Sequence, residues 1–409
     1  MGKVRYITDL EGYKGPIELV SPYHYYMHTY WTLRDRWRRL LYAWIRRKPC
    51  DASATILPER AVAGVPTSLR LRITIGRTPL PQGGRIAVFF PIGFGGLCNN
   101  NSLMCFQGPD GQVGYGSRIV AHASDPEVEL ATLVHSTGSV FTCVEVVLEG
   151  GRLEEGERVD IVIGDPSCRP PVVCEKAKSY PFRVAIDYRG DDTFLPVVPS
   201  PSVMNVGNRA QYLRCFAPAT PKLGEPFSLR VVASDLMNHN PSHFYRGRLL
   251  LQATGRIEGP KEVDVPEDSH GKAEIDGIAV LEEGVTRIQV VDKVKGIMGQ
   301  TNPICPEAAP EGLSLYYGDI HSHTELSDGG GTPEENFIWA REVEGLDFAA
   351  LADHFEDPFC YNYTLEEKWK ITKDVTERFN RPGRFVTLLG YEMGSLEGHR
   401  NVYFSDGEG

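Results

Sequence analysis

The feature that most constrains this chain is a change of hydrophobic period part-way along it. Between residues 51 and 310 apolar side chains recur at every second position in short runs broken by Gly and Pro. Beyond Pro303, Pro306 and Pro310, strand-length apolar runs alternate with helical ones. Leu69, Leu71, Ile73 and Ile75 alternate with Ser68, Arg70, Arg72 and Thr74, the pattern of a strand with one buried face. Similar runs predict strands at Ile86 to Phe90, Thr142 to Leu148 and Val159 to Ile163. Further strands are expected at Ser228 to Ala233, Arg248 to Ala253, Ala279 to Glu282 and Thr286 to Val291. The 42 glycines and 29 prolines favour many turns and short strands over long helices. Gly64-Val65-Pro66-Thr67-Ser68-Leu69-Arg70 is echoed by Gly224-Glu225-Pro226-Phe227-Ser228-Leu229-Arg230. The echo points to two sandwich-like units, one over 51–215 and a second over 216–310.

A chain of 409 residues is too long for one ordinary domain. Its formal charge of −11 argues against nucleic acid as a partner, because phosphate binding needs a basic face. The N-terminus shows no apolar core of a secretory signal, and no run is long and apolar enough for a transmembrane helix, so a cytoplasmic protein is expected. Within residues 1–50, His28 to Lys48 reads as an amphipathic helix ended by Pro49. Leu33, Trp37, Leu40, Leu41 and Trp44 form its stripe among Arg34, Arg38, Arg39, Arg46 and Arg47. Tryptophans at helical spacing are usually core, so packing on a domain or subunit surface is expected rather than membrane contact. The 9 cysteines, at 50, 98, 105, 143, 168, 174, 215, 305 and 360, have no C-x-x-C spacing and are expected to be reduced.

Residues 311–409 follow a different grammar. Leu313 to Ile320 reads as a strand. Thr332-Pro333-Glu334-Glu335 opens a helix with a cap, a proline at the first helical position and a capping box; it runs to Glu344 and stops at Gly345. Asp347 to Ala352, Arg384 to Tyr391 and Arg400 to Phe404 are the next strands, with a helix over 366–380. Strands spaced by helices build parallel β/α layers, either a barrel or a doubly wound sheet.

In such folds ligands gather at the C-terminal ends of strands. The first strand ends at His321 and His323, with Asp328 beyond; the second ends at Asp353-His354; the third ends at Glu392; His399 precedes the fourth. An H-x-H pair alone is a weak signal. Four strand ends delivering His, His, Glu and His to one face point to a metal site, and imidazole with carboxylate suits Zn, Mn or Fe.

The runs GDIHSHTELSDGGGTPEE, GLDFAALADH, LLGYE and GHRNVYF resemble successive motifs of the polymerase and histidinol phosphatase (PHP) family of metal-dependent hydrolases. With β-rich sequence upstream, they resemble in particular the PHP-like proteins catalogued as a domain of unknown function, DUF3604. The resemblance covers about residues 313–409. It implies a distorted β/α barrel with two or three divalent metals. His321 and His323 would hold one metal, Glu392 would bridge it to a second held by His399, and Asp328 and His354 would hold a third. Asp353, whose strand neighbour points the other way, would support the ligands as a second catalytic carboxylate beside Glu392. The family pattern also requires a later histidine and a final Asp-x-His pair, which this sequence lacks, so it is expected to be part of a longer protein carrying only the N-terminal portion of the barrel.

The implied reaction is hydrolysis of a phosphoester by metal-activated water, with Arg400 a candidate phosphate contact. Carboxylic esters, lactones or amides are alternative substrates of the same metals. A non-catalytic binding or scaffold protein with an incomplete PHP domain is the rival of a different class. The expected partner is a small-molecule phosphoester or ester, and a homo-oligomer is compatible with all of this.

Overall fold

The computed structural model describes residues 4–6, 48–65, 67–91, 119–136, 142–164, 176–237, 239–306, 313–327, 329–355, 363–395 and 398–405. The helix expected over His28 to Lys48 lies outside them apart from Lys48, and so do Cys98, Cys105, Cys168, Cys174 and Cys360. Cys50, Cys143, Cys215 and Cys305 are free thiols. The described residues are predominantly β, in several sheets, with two α-helices. No helix among them is long and apolar enough to cross a membrane.

The first unit sets Ser53–Leu57, Leu69–Thr74, Arg158–Ile163 and Ile119–Ala123 side by side in one sheet. A second sheet runs in the order Val4–Tyr6, Glu129–Ser136, Thr142–Gly150, Arg85–Phe89, Arg183–Asp187, Leu195–Pro196. Leu69, Leu71, Ile73, Val159, Ile161 and Ile163 of the first sheet share one core with Ile86, Val88, Val144, Val146 and Leu148 of the second. The alternation visible in the sequence is therefore the inward row of a two-sheet packing. A second core joins Leu229, Val231, Ile275 and Ile278 to Leu249, Leu251, Ile288 and Val290, again from two four-stranded sheets. Gly64 and Gly224, the echoed glycines, have φ of 74° and 73°, so both motifs turn at a left-handed position before a core strand.

One strand of this unit departs from expectation. The run expected at Ala279 to Glu282 belongs to a longer strand, Lys272–Val280. Its register slips between Phe227↔Ile278 and Leu229↔Ile275, with Gly277 at φ 78°, so a bulge breaks the period-two pattern that would have revealed it.

In the C-terminal unit the strands Gly318–Ser322, Phe348–Leu351 and Val386–Ser395 are parallel. The first begins at Gly318 rather than Leu313, because its partner starts only at Phe348. The helices Pro333–Glu342 and Leu365–Phe379 cover one face. Each opens on a capping box, from Thr332 and Glu335 and from Thr364 and Glu367, and they bury Phe337, Ala340 and Val375 against Ala349, Leu351 and Phe385. Gly345, at φ 66°, follows the end of the first helix. The fourth strand, Gly398–Phe404, is antiparallel to the third, not parallel as the strand–helix alternation predicted. Ser395 pairs with Gly398, and so tight a connection makes a hairpin, whereas a parallel return needs a crossover of a dozen or more residues.

The first helix of this unit docks on the second sandwich through its C-terminal carbonyls. Arg214 Nη1 donates to Val343 O at 3.2 Å and Arg230 Nη1 to Arg341 O, satisfying acceptors that a helix end leaves open. Glu344 pairs with Arg214, and Lys272 Nζ meets Glu342 Oε2 at 2.6 Å. A side chain on Gly345 would strike the Phe216 ring, so the seam needs the glycine.

Candidate metal centre

Strand parity decides which side chains can meet. Ala349 and Leu351 pack against the helices, as does Thr387, whose hydroxyl donates to Thr376 O at 2.6 Å; Ser322 Oγ faces Asn336 of the first helix. The intervening positions therefore turn to the opposite, inner face. Those positions are His321 and His323 on the first strand, Ala352 and His354 on the second, and Gly390 and Glu392 on the third. In the hairpin, Gly394 pairs with His399 and Glu392 with Asn401, which places both partners on the same inner face.

Main-chain bonds hold the strand ends together. Ala352 N donates to Ser322 O at 2.8 Å, Glu392 N to Asp353 O at 3.1 Å and Phe355 N to Glu392 O at 3.1 Å, and His354 and Glu392 form a parallel bridge. The ladder of the first strand slips between Asp319 and Ser322, a bulge that takes in His321. Asp319 Oδ1 accepts from His321 N at 2.9 Å and fixes that kink.

Glu392 sits at the centre and is 2% exposed. Its Oε2 lies 2.9 Å from His321 Nε2, 2.8 Å from His323 Nε2 and 3.7 Å from His354 Nε2; its Oε1 lies 2.8 Å from His399 Nδ1. The imidazoles follow one another around it, with centroids 5.2 Å apart for His321 and His323, 4.9 Å for His323 and His354, and 4.8 Å for His354 and His399. Burial pushes the Glu392 carboxyl up. Hydrogen bonds from His321 and His399 and the charge of His354 outweigh it and hold the group below the usual range. Two ligand groups emerge, His321–His323–Glu392 and His354–Glu392–His399, each with its donor atoms within 4.8 Å of one another. Glu392 belongs to both, the position of a bridging carboxylate. His354 thus lies with His399 and Glu392 in the second group. Asp328 lies outside the described residues.

Asp353 has other work. Its carboxylate, 2% exposed, accepts from Thr324 N at 2.7 Å, Thr324 Oγ1 at 2.8 Å and Ser327 Oγ at 2.6 Å. It anchors the turn after the H-x-H pair and does not join either ligand group. Arg400 pairs with Met393 on the other face of the hairpin and is exposed, so it stands apart from His399 and Glu392.

Three residues near the centre were not singled out from the sequence. Lys368, fully buried on the second helix, donates to His354 O and lies 5.3 Å over the Phe355 ring, fixing the backbone that carries the His354 imidazole. Asn401 and Tyr403 continue the inner row of His399 at period two, the one signal that could have found them. Burial pushes the Tyr403 phenol up, and the charges of Asp319 and Glu392 add to it. It stays protonated, donating to Ile320 O in the bulge. Asn401 hydrogen-bonds Tyr403, and its Oδ1 is buried with no partner among the described residues. Asn401 pairs with Glu392 across the hairpin, and an orphaned oxygen on the partner of the central carboxylate fits a site built for cations rather than a self-satisfied core.

No protein family matches the chain, and no curated protein matches it. Among solved structures it is similar to two Yersinia pseudotuberculosis proteins. The adhesin InvE is 9% identical, with 62% of this chain and 58% of that chain covered and a TM-score of 0.19. InvD is 10% identical, with 66% of this chain and 62% of that chain covered and a TM-score of 0.27.

Proposed function

We propose that the C-terminal unit is the ligand-bearing part of a PHP-type, divalent-metal-dependent hydrolase whose favoured substrates are phosphoesters. One observation carries this reading: a single buried carboxylate, Glu392, has imidazoles within 2.9 Å on both of its oxygens. Four histidines around one glutamate form a donor set for Zn, Mn or Fe, and two cations there would lower the pKa of water and offset charge on a leaving oxygen. His321 and His323 hold one side, His354 and His399 the other, and Glu392 links them. Asp353 keeps the turn after His323 in place, Lys368 holds the strand end at His354, and Asn401 offers a further oxygen beside Glu392. The β/α barrel of the PHP family is the architecture this reading extends to; the parallel strands ending on the ligands support it. The same donor set would serve carboxylic ester, lactone or amide hydrolysis. Phosphoester preference comes from the motif resemblance.

The test uses the full chain purified without chelator. Metal analysis should find about two metals per chain, together with turnover of an aryl phosphate above that of the matching aryl acetate. Glu392→Gln should lose both metals and the turnover. A chain that takes up no divalent metal, or a Glu392→Gln variant that keeps its full complement, overturns the assignment.

A further inference from the structure

A cavity of about 1000 Å³ lies at the seam between the second sandwich and the C-terminal unit. Its walls are the Phe227–Ser234 and Lys272–Val280 strands on one side. On the other are the end of the Pro333–Glu342 helix and the N-terminal ends of the parallel strands, with Gly345 and Asp347 before the second strand and Arg384 before the third. The His cluster is at the C-terminal ends of those strands, so the cavity is a separate place. Clefts between domains are where small ligands most often bind.

Five cationic side chains line this space: Arg230, Lys272, Arg341, Arg381 and Arg384. The carboxylates present account for some of them. Glu342 takes Lys272 at 2.6 Å and Arg341 at 3.0 Å, and Glu274 meets Arg384 loosely at 3.5 Å. Asp347 Oδ2 is engaged by Tyr317 N at 2.8 Å, and Asp276, the fourth carboxylate of the lining, accepts from Ser228 Oγ at 2.6 Å. Arg230 and Arg381 have no ion pair among the described residues. The half-buried Arg230 uses one nitrogen on Arg341 O, and Arg381 uses one on Asn380 O. A guanidinium carries five N–H donors and cannot shed its charge, so burial leaves Arg230 costly unless an anion meets it. Burial, together with the neighbouring charges of Arg384 and Arg341, depresses its pKa against the opposing pull of Asp347 and Glu274.

We propose that this seam cavity binds a small phosphate-bearing anion, with Arg230 and Arg381 as its principal contacts and Arg384 in support. A phosphate group suits it better than a lone carboxylate. Three guanidiniums, one from a sandwich strand and two from the turn between Phe379 and Val386, need more acceptor oxygens than one carboxylate offers, and the planar fork matches phosphate in bidentate fashion. Because Arg230 belongs to the sandwich and Arg381 and Arg384 to the C-terminal unit, the bound anion ties the two units together.

The experiment is calorimetric titration of the chelator-treated full chain with pyrophosphate, with inorganic phosphate and citrate at matched ionic strength as comparators, accompanied by melting curves. Pyrophosphate should bind, raise the melting transition and outcompete citrate. Arg230→Met, which keeps the apolar stem, and Arg381→Gln, which alters an exposed side chain and serves if the first variant does not fold, should each weaken binding about tenfold, the loss of one charge-assisted partner. Glu392→Gln should leave it unchanged. Absence of pyrophosphate binding overturns the proposal, as do equal binding by Arg381→Gln and wild type, citrate binding as tight as pyrophosphate, or loss of binding in Glu392→Gln.

Discussion

Replacing Asp353 by Ala separates two roles for this carboxylate. It accepts three hydrogen bonds, from Thr324 N, Thr324 Oγ1 and Ser327 Oγ, at 2.6–2.8 Å in a buried setting. Removing it strands three donors. Bonds to a charged acceptor are worth about 1.5–3 kcal/mol each, and partial rescue by entering water reduces the sum, so a loss of about 3–5 kcal/mol is expected. That is a large share of the roughly 5–15 kcal/mol that holds an ordinary domain together. Asp353→Asn keeps the shape but turns an amide N–H₂ toward donors, and should cost about 1–3 kcal/mol. Urea unfolding should show both losses in the transition of the C-terminal unit, and hydrogen exchange should show amide 324 losing protection first. Metal affinity should fall only as the turn loosens. If Asp353→Ala leaves the unfolding midpoint and the exchange of amide 324 unchanged while abolishing metal binding or turnover, Asp353 is a ligand or proton carrier and the anchoring role is wrong.

The seam should be acid-labile. Burial pushes Glu344 and Glu342 up, but Arg214 on the first and Lys272 and Arg341 on the second outweigh it, so both lie below the ordinary value of about 4.5. A depressed folded pKa means that their contribution is complete above 4.5 and is lost as the pH falls through the folded values. Trp339 Nε1 donates to Glu344 Oε1 at 3.0 Å, so indole fluorescence should report the release, and Arg214→Ala should move the transition up in pH. Gly390→Val should cost about 1–3 kcal/mol by overpacking, since even a Cβ there would lie 2.7 Å from Tyr403 Cδ1; an unchanged melting temperature would refute the close approach. Thr332→Ala should cost about 1 kcal/mol through loss of the cap that Glu335 N donates to, read from the denaturation midpoint.

Where one strand face is buried and the other wet, the chain announced its structure. Leu69, Leu71 and Ile73 are all essentially inaccessible, as their spacing required. The capping box at Thr332 and the stop at Gly345 were equally plain, because local chemistry alone decides them. The Lys272–Val280 strand was misplaced because its bulge at Gly277 interrupts the period. The direction of the last strand was missed because local propensity says nothing about pairing, which here rests on a hairpin between Ser395 and Gly398. That His321, His323, His354, Glu392 and His399 come together was legible from strand ends. The contact of His354 with His399 was not, since it rests on the bridge of His354 to Glu392 and on the antiparallel hairpin that returns His399 beside them. The partners of Asp353 lie at separations of 26 and 29 residues, beyond any sequence pattern.

The tie from Tyr403 to the Ile320 carbonyl has a consequence for the width of the site. The phenol starts on one edge strand of the sheet, lies across Gly390 and ends on the opposite edge strand, with Ala350 fully buried between them. The space below the imidazoles is thereby filled by the chain's own ring. The tie therefore fixes the spacing of the two edge strands that carry His321 and His399, whose side chains are half exposed while Glu392 between them is buried.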